Sequence, residues 1–203
     1  MSARIVNTPS DDRGLKIGIF GGTFNPIHLG HLRSAEEIRD TFALDRIYFV
    51  PAARPPHRSG DTLVAAPYRL RMVELAVADN PFFQASAVEL ERTGPSYSID
   101  TIRHFRRTLD PAALFFIVGL DAFRDIHTWK DYATIPALCH LIVTSRPGVV
   151  SPLPEQLLPV ALQAALWYDP AHTMYRHPSG HSLVFHEIHG LQISASQVRA
   201  LLR

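Results

Sequence analysis

Short apolar runs alternate along this chain with longer stripes at helical spacing. Ile17, Ile19 and Phe20 form the first run, which two glycines end. Leu32, Ala35, Ile38 and Phe42 then recur every three or four residues, the spacing that places side chains on one face of a helix. Arg33, Glu36, Glu37, Arg39 and Asp40 fall on the other faces, and the pattern starts this helix near Leu29. Residues 46–50 predict a second strand, closed by Pro51. Pro67 suits the first turn of a second helix with Leu70, Val73, Ala76 and Val77 inward, ending near Asn80 and Pro81. Residues 82–88 read as a strand. A third helix follows with Ser98 as its N-cap, Asp100 in its first turn, and Ile102, Phe105 and Leu109 inward. Residues 113–118 are continuously apolar, as expected of a central strand buried on both faces. His140–Ser145 and residues 182–188 predict two further strands, and residues 193–199 open a last helix. From 149 to 180, Pro152, Pro154, Pro159, Pro170 and Pro178 break the stripes, leaving only a short helix near 160–166. This alternation predicts an α/β fold, a doubly wound parallel sheet with right-handed crossovers and its ligand at the carboxyl edge.

Composition narrows the function classes. A chain of 203 residues, 46% hydrophobic and 19% charged, is globular. It suits one domain, residues 16–203, behind a loose polar leader at 1–15. Twenty basic against 19 acidic residues leave a net charge of +1, which gives no electrostatic case for a nucleic-acid binder. The one cysteine, Cys139, lies in an apolar run, so a buried free thiol is expected, and a reducing compartment with it. No window approaches the ~20 apolar residues of a membrane span, and no signal peptide is evident. The expected location is the cytoplasm, away from membranes.

Candidate chemistry concentrates in residues 21–31, Gly-Gly-Thr-Phe-Asn-Pro-Ile-His-Leu-Gly-His. Gly21 and Gly22 allow backbone angles and a close approach that side chains would forbid. His28 and His31, three apart at a helix start, can face one ligand, and an anion is favoured there by the first-turn N–H groups and the helix dipole. Gly30 removes the side chain that would stand between them. Ordinary core or surface histidines are the plain alternative, and a zinc pair lacks a third ligand nearby. Residues 52–58 form a proline-stiffened loop with Arg54, His57 and Arg58 at the ligand edge. Ser98 reads as a cap or as part of a binding turn. Asp121, following the central strand, can accept ribose hydroxyls or cap the next helix. Ser194 and Gln197 have the form of a capping box. Ser196 and Arg199, three apart on the same helix, make a second anion site. Arg103, Arg106 and Arg107 read as a solvated helix face. His172, His177, His181, His186 and His189 lack ligand spacing and read as surface residues.

Residues 21–31 resemble the long form of the His-x-Gly-His signature of the nucleotidyltransferase superfamily, and in particular that of bacterial nicotinate-nucleotide adenylyltransferases. Pro55-Pro56-His57-Arg58, Glu89 to Ser98, Phe116 to Trp129 and Arg146-Pro147-Gly148 are similar to successive segments of those enzymes. Residues 193–199 resemble the superfamily's second signature, Ile-Ser-Ser-Thr-x-Ile-Arg, with Ala195 and Ser196 replacing Ser and Thr. The resemblance implies a Rossmann-like fold and transfer of adenylyl from ATP to nicotinate mononucleotide, in NAD biosynthesis. It implies that His28, His31 and Arg199 are catalytic. Gly21, Gly22, Thr23, Phe24, Arg146, Ser194, Ser196 and Arg199 would bind ATP, and His57, Tyr97, Ser98, Asp121 and Trp129 the mononucleotide. Trp129 would stack on the pyridine ring, whose carboxylate the turn before the third helix would receive. Mg²⁺ would arrive with ATP rather than on protein ligands, and a homo-oligomer stays open. Two departures are visible: Lys130 stands where several relatives have an aromatic residue, and the family usually continues past Arg199 with a further helix. Nicotinamide-mononucleotide or phosphopantetheine adenylyltransfer, or nucleotide sensing without turnover, are the competing expectations.

Overall fold

The computed structural model describes residues 14–56, 63–110, 112–146, 154–189 and 193–201. The expected strands and helices of the first half are present as β1 (Lys16–Gly22), α1 (Leu29–Phe42), β2 (Arg46–Pro51), α2 (Ala66–Val77), β3 (Phe83–Ala85), α3 (Ser98–Thr108) and β4 (Ala113–Gly119). After β4 come α4 (Leu120–Arg124), α5 (Ile135–Leu138), β5 (His140–Ser145), α6 (Pro154–Leu157), α7 (Val160–Ala165), β6 (Trp167–Asp169), β7 (Met174–Arg176), β8 (Ser182–Glu187) and α8 (Ala195–Leu201).

The strands form one sheet in the order β3-β2-β1-β4-β5-β8-β7-β6. The first six run parallel, while β6, β7 and β8 pair antiparallel. Successive strand residues point to opposite faces, so each central strand feeds two cores. Tyr48, Val50, Leu114, Phe116 and Val118 pack with Ile99, Ile102 and Phe105 of α3 on one face. Ile47, Phe49 and Ile117 pack with Ala35 and Ile38 of α1 and Val73 and Val77 of α2 on the other. This is the doubly wound arrangement expected from the sequence, and strand order reverses between β1 and β4, where such sheets leave a crevice at their carboxyl ends.

Several local expectations are corrected. Strand β3 is three residues, shorter than the 82–88 run. The buried stripe of α2 is Arg69, Val73 and Val77, one residue in every four; Ala76 is exposed and Leu70 only half-buried. The N-cap of α3 is Tyr97, and Ser98 is the first helical residue. The hairpin of β6 and β7 adds an antiparallel edge that broken periodicity did not suggest. Cys139 is a buried free thiol whose pKa burial pushes up to about 12. Among the described residues no helix is long and apolar enough to cross a membrane.

Candidate active site

A cleft of about 760 Å³ opens at the carboxyl ends of β1 and β4, where the strand order reverses. Of the sequence-predicted site residues among the described residues, all but Arg54 line it; His57 lies outside the described residues, as do Arg58 and the leader up to residue 13.

The first anion signature is built from the end of β1 and the start of α1. Gly21 and Gly22 do not use left-handed backbone angles, contrary to expectation; the positive φ falls on Phe24, at 46°. Gly22 is required by packing instead, because a Cβ there would stand 2.9 Å from the Phe24 ring. Phe24 is itself 3% exposed and packs among Phe20, Phe49 and the edge of His31, at centroid distances of 5.9, 6.0 and 5.1 Å. Its side chain therefore supports the His31 ring from the core.

His28 caps α1 and His31 sits in its first turn, with their rings stacked 3.8 Å apart at 27°. The His28 amide donates to His31 Nδ1 at 3.2 Å. A backbone N–H can only donate, so Nδ1 of the neutral ring is the acceptor and Nε2 carries the proton. Burial lowers the His31 pKa to about 3, reinforced by His28 and by the Arg146 guanidinium. Burial and Arg146 also lower that of His28. The pair consequently offers neutral imidazoles, and one nitrogen, His28 Nδ1, is buried with no hydrogen-bond partner. Gly30 leaves room for that ring: a Cβ there would meet His28 Nδ1 at 3.0 Å.

The second signature closes over the first. Ser194 caps α8 as a capping box with Gln197, accepting the Gln197 amide at 3.2 Å while its own amide donates to Gln197 Oε1 at 2.7 Å. That cap occupies the Ser194 hydroxyl, leaving Ser196 and Arg199 as the polar groups of this segment. Arg199 donates to the Asn25 carbonyl and, at 3.2 Å, to Ser196 Oγ, so the last helix is tied to the first turn. Arg146, exposed at the end of β5, completes a basic rim.

Across the cleft lies the start of α3. Its first turn has no side-chain cap, which leaves amides at the positive end of an eleven-residue helix. Trp129 is half-buried on the edge of Phe116, at 6.3 Å. Lys130 bonds Asp100 at 3.1 Å and lies 5.0 Å from the Tyr97 ring centroid. Asp121 is exposed, 3.8 Å from Arg124, and is not a cap: Gly119 holds that position. Of the five distal histidines, His172 and His189 are exposed, but His177, His181 and His186 are half-buried, which corrects the surface reading.

Sequence reasoning missed two buried polar groups, Arg69 and Glu89, of which Glu89 lines the cleft. Arg69 is fully buried and bonds backbone carbonyls of three segments. Glu89 is buried, with Oε1 accepting from Thr101 Oγ1 at 2.5 Å and Oε2 without a partner. An arginine in a stripe of apolar spacing was the available signal for the first.

Comparison with known proteins agrees with this geometry. The cytidylyltransferase-like family matches residues 19–201. A probable nicotinate-nucleotide adenylyltransferase of Geobacter sp. (strain M21) is 48% identical over 189 residues, covering 93% of this chain and 88% of that protein. One from Geotalea daltonii is 47% identical over 191 residues with the same coverage. The Plasmodium falciparum nicotinic acid mononucleotide adenylyltransferase complexed with NaAD shares the fold, with a TM-score of 0.67 at 18% identity over 93% of this chain and 84% of that one. The chain belongs to the cytidylyltransferase-like family, in the group whose members are named nicotinate-nucleotide adenylyltransferases.

Proposed function

We propose that this protein transfers the adenylyl group of ATP to nicotinate mononucleotide, releasing pyrophosphate and forming nicotinic acid adenine dinucleotide in NAD biosynthesis. The observation that carries this reading is the pairing, in one cleft, of a two-signature basic wall with the uncapped start of α3 beside a half-buried tryptophan. In the reaction a 5′-phosphate oxygen attacks the α-phosphorus of ATP, the new O–P bond forms, and the bond to the β-bridging oxygen breaks. The nucleophile is already an anion, so the chain's work is alignment of two repelling phosphates and stabilisation of charge on the α-phosphate and on pyrophosphate.

His31 donates Nε2–H to the α-phosphate; being neutral at physiological pH in the free protein, it acts as a fixed donor rather than as an acid. His28 and the turn at Gly21, Gly22 and Thr23 hold the triphosphate. Ser196, Arg199 and Arg146 take the β and γ phosphates, Arg199 through charge-assisted bonds. Trp129 stacks on the pyridine ring, the amides at the start of α3 receive its carboxylate beside Tyr97 and Ser98, and Asp121 takes ribose hydroxyls. Nucleotidyltransferases generally use a divalent cation with ATP. Among the described residues no group of three His, Cys, Asp or Glu side chains could hold one. Mg²⁺ would accompany ATP as part of the substrate and would help to neutralise phosphate charge.

The test is product identification: ATP and Mg²⁺ incubated with nicotinate mononucleotide, nicotinamide mononucleotide or phosphopantetheine, with pyrophosphate and the adenylylated product quantified. The dinucleotide of the nicotinate form is expected to dominate. Pyrophosphate release only with phosphopantetheine, or with none of the three, would overturn the proposal.

A further inference from the structure

Among the described residues Arg69 is the largest fully buried side chain, and its hydrogen bonds there all go to backbone carbonyls. Nη1 donates to the Thr23 carbonyl at 2.6 Å, Nη2 to the Ala52 carbonyl at 2.6 Å, and Nε to the Val64 carbonyl at 2.7 Å. These acceptors belong to three segments: the turn of the first anion signature, the loop leaving β2, and the approach to α2. The buried charge is offset by Glu89 beside the cleft.

Each segment continues the connection. The Ala52 amide donates to the Gly22 carbonyl at 2.8 Å. Arg54 exchanges two bonds of 3.0 Å with Ser96, in the turn that leads into α3. The Val64 amide donates to Asn25 Oδ1 at 3.1 Å, and the Asn25 carbonyl accepts from Arg199. Hydrogen bonds joined by short stretches of covalent chain thus lead from Arg199, on the triphosphate side, through Asn25, Val64, Arg69 and residues 52–54 to the turn at Ser96, on the mononucleotide side. A planar guanidinium carries its donors on three separate nitrogens that diverge in one plane, so it reaches carbonyls too far apart for the single nitrogen of a lysine.

We infer that Arg69 is a positioning residue that sets the distance between the two half-sites without touching either substrate. The binding groups of each half-site sit outside α2: β1, α1 and α8 carry one set, and α3 with the segment after β4 carries the other, so each keeps its own ligand when the link is weakened. What is lost is the in-line alignment of the two phosphates, and a misplacement of about 1 Å costs on the order of 100-fold in rate. The inference rests on the proposed adenylyl transfer.

The discriminating variant is Arg69→Lys, which keeps the buried charge against Glu89 but cannot span three acceptors. The expected result is a folded protein with kcat lowered about 10- to 100-fold, while the equilibrium Kd of ATP alone and of nicotinate mononucleotide alone each change less than about threefold. Asn25→Ala, which removes the Val64 acceptor and keeps the Asn25 carbonyl, is expected to lower kcat in the same way. The combined loss in the double variant should be smaller than the product of the single losses, because both act on one network. Should Arg69→Lys not fold, Asn25→Ala with Ser96→Ala decides: unchanged kcat in both overturns the inference. A folded Arg69→Lys protein with a lowered Tm but unchanged kcat would also overturn it, showing Arg69 to be structural only. No turnover by the unaltered protein would instead count against the adenylyl-transfer reading.

Discussion

Gly21 and Gly22 stand side by side at the end of β1 for different reasons. A Cβ on Gly22 would press to 2.9 Å from the buried Phe24 ring, whereas one on Gly21 would sit at an ordinary 3.6 Å from Phe116. Gly22→Ala should therefore destabilise by about 1–3 kcal/mol through overpacking, and Gly21→Ala by clearly less. Thermal unfolding of both variants checks this, and equal losses would contradict the packing argument for Gly22. At the same scale His31→Ala should keep the fold and lower kcat by about 10²- to 10³-fold, the usual loss of one fixed donor at a charged transition state. Near-normal kcat in the folded variant would remove His31 from the mechanism. Both signatures were legible as sequence because glycine, histidine and arginine at helix starts have few other uses together. The tautomer of His31 was not, since it depends on an amide that aims at Nδ1 only once α1 has formed. Arg69 hid in an amphipathic helix, where a cation is read as solvated until tertiary contacts are known.

Between elements, the end of β8 is fastened to α1. Glu37 accepts the His189 amide at 2.9 and 3.0 Å and lies 2.9 Å from His189 Nδ1, with His186 Nε2 at 3.8 Å. Burial pushes the Glu37 carboxyl up, but the bonds from His189 and the charges of His189 and His186 outweigh it and hold the pKa below its ordinary value. The ionised carboxylate thus stabilises the fold above pH about 4.5, and that contribution disappears as pH falls through the lowered value. Glu37→Gln should lower Tm at pH 7 by a few degrees, and the deficit should close below pH 4. A deficit that persists unchanged in acid would assign the loss to packing. Elements long enough to repeat their period, such as α1 and β4, were readable in advance. The β6–β7 hairpin was not: three residues a side is too short for alternation to register, and Trp167 and Tyr168 stay exposed.

For the whole molecule, the strand order and the two faces of the sheet follow from continuous apolar strands alternating with amphipathic helices, which is why the fold class was legible. The same burial carries a pH consequence. His31 and His140 are held neutral, with pKa values lowered to about 3 and about 4, chiefly by burial. Unfolded, each would take a proton near 6.5, so stability should be full above that value and decline as pH falls toward 4, by up to about 1.4 kcal/mol per unit for each histidine. Denaturant unfolding at pH 7.5, 6 and 5 tests this, and a flat profile would contradict it.

The central claim concerns the carboxylate that distinguishes nicotinate mononucleotide from its nicotinamide counterpart. The uncapped first turn of α3 offers N–H groups to an anion, whereas an amide presents its own N–H₂ to donors that need an acceptor. Losing one charge-assisted bond costs roughly 1.5 to 3 kcal/mol, or on the order of 10- to 150-fold. The direct measurement is kcat/KM for both mononucleotides, with saturating ATP and Mg²⁺, on the unaltered protein. A ratio of at least about tenfold in favour of the nicotinate form is predicted. Equal values, or a preference for the nicotinamide form, would contradict a carboxylate-binding site at the start of α3.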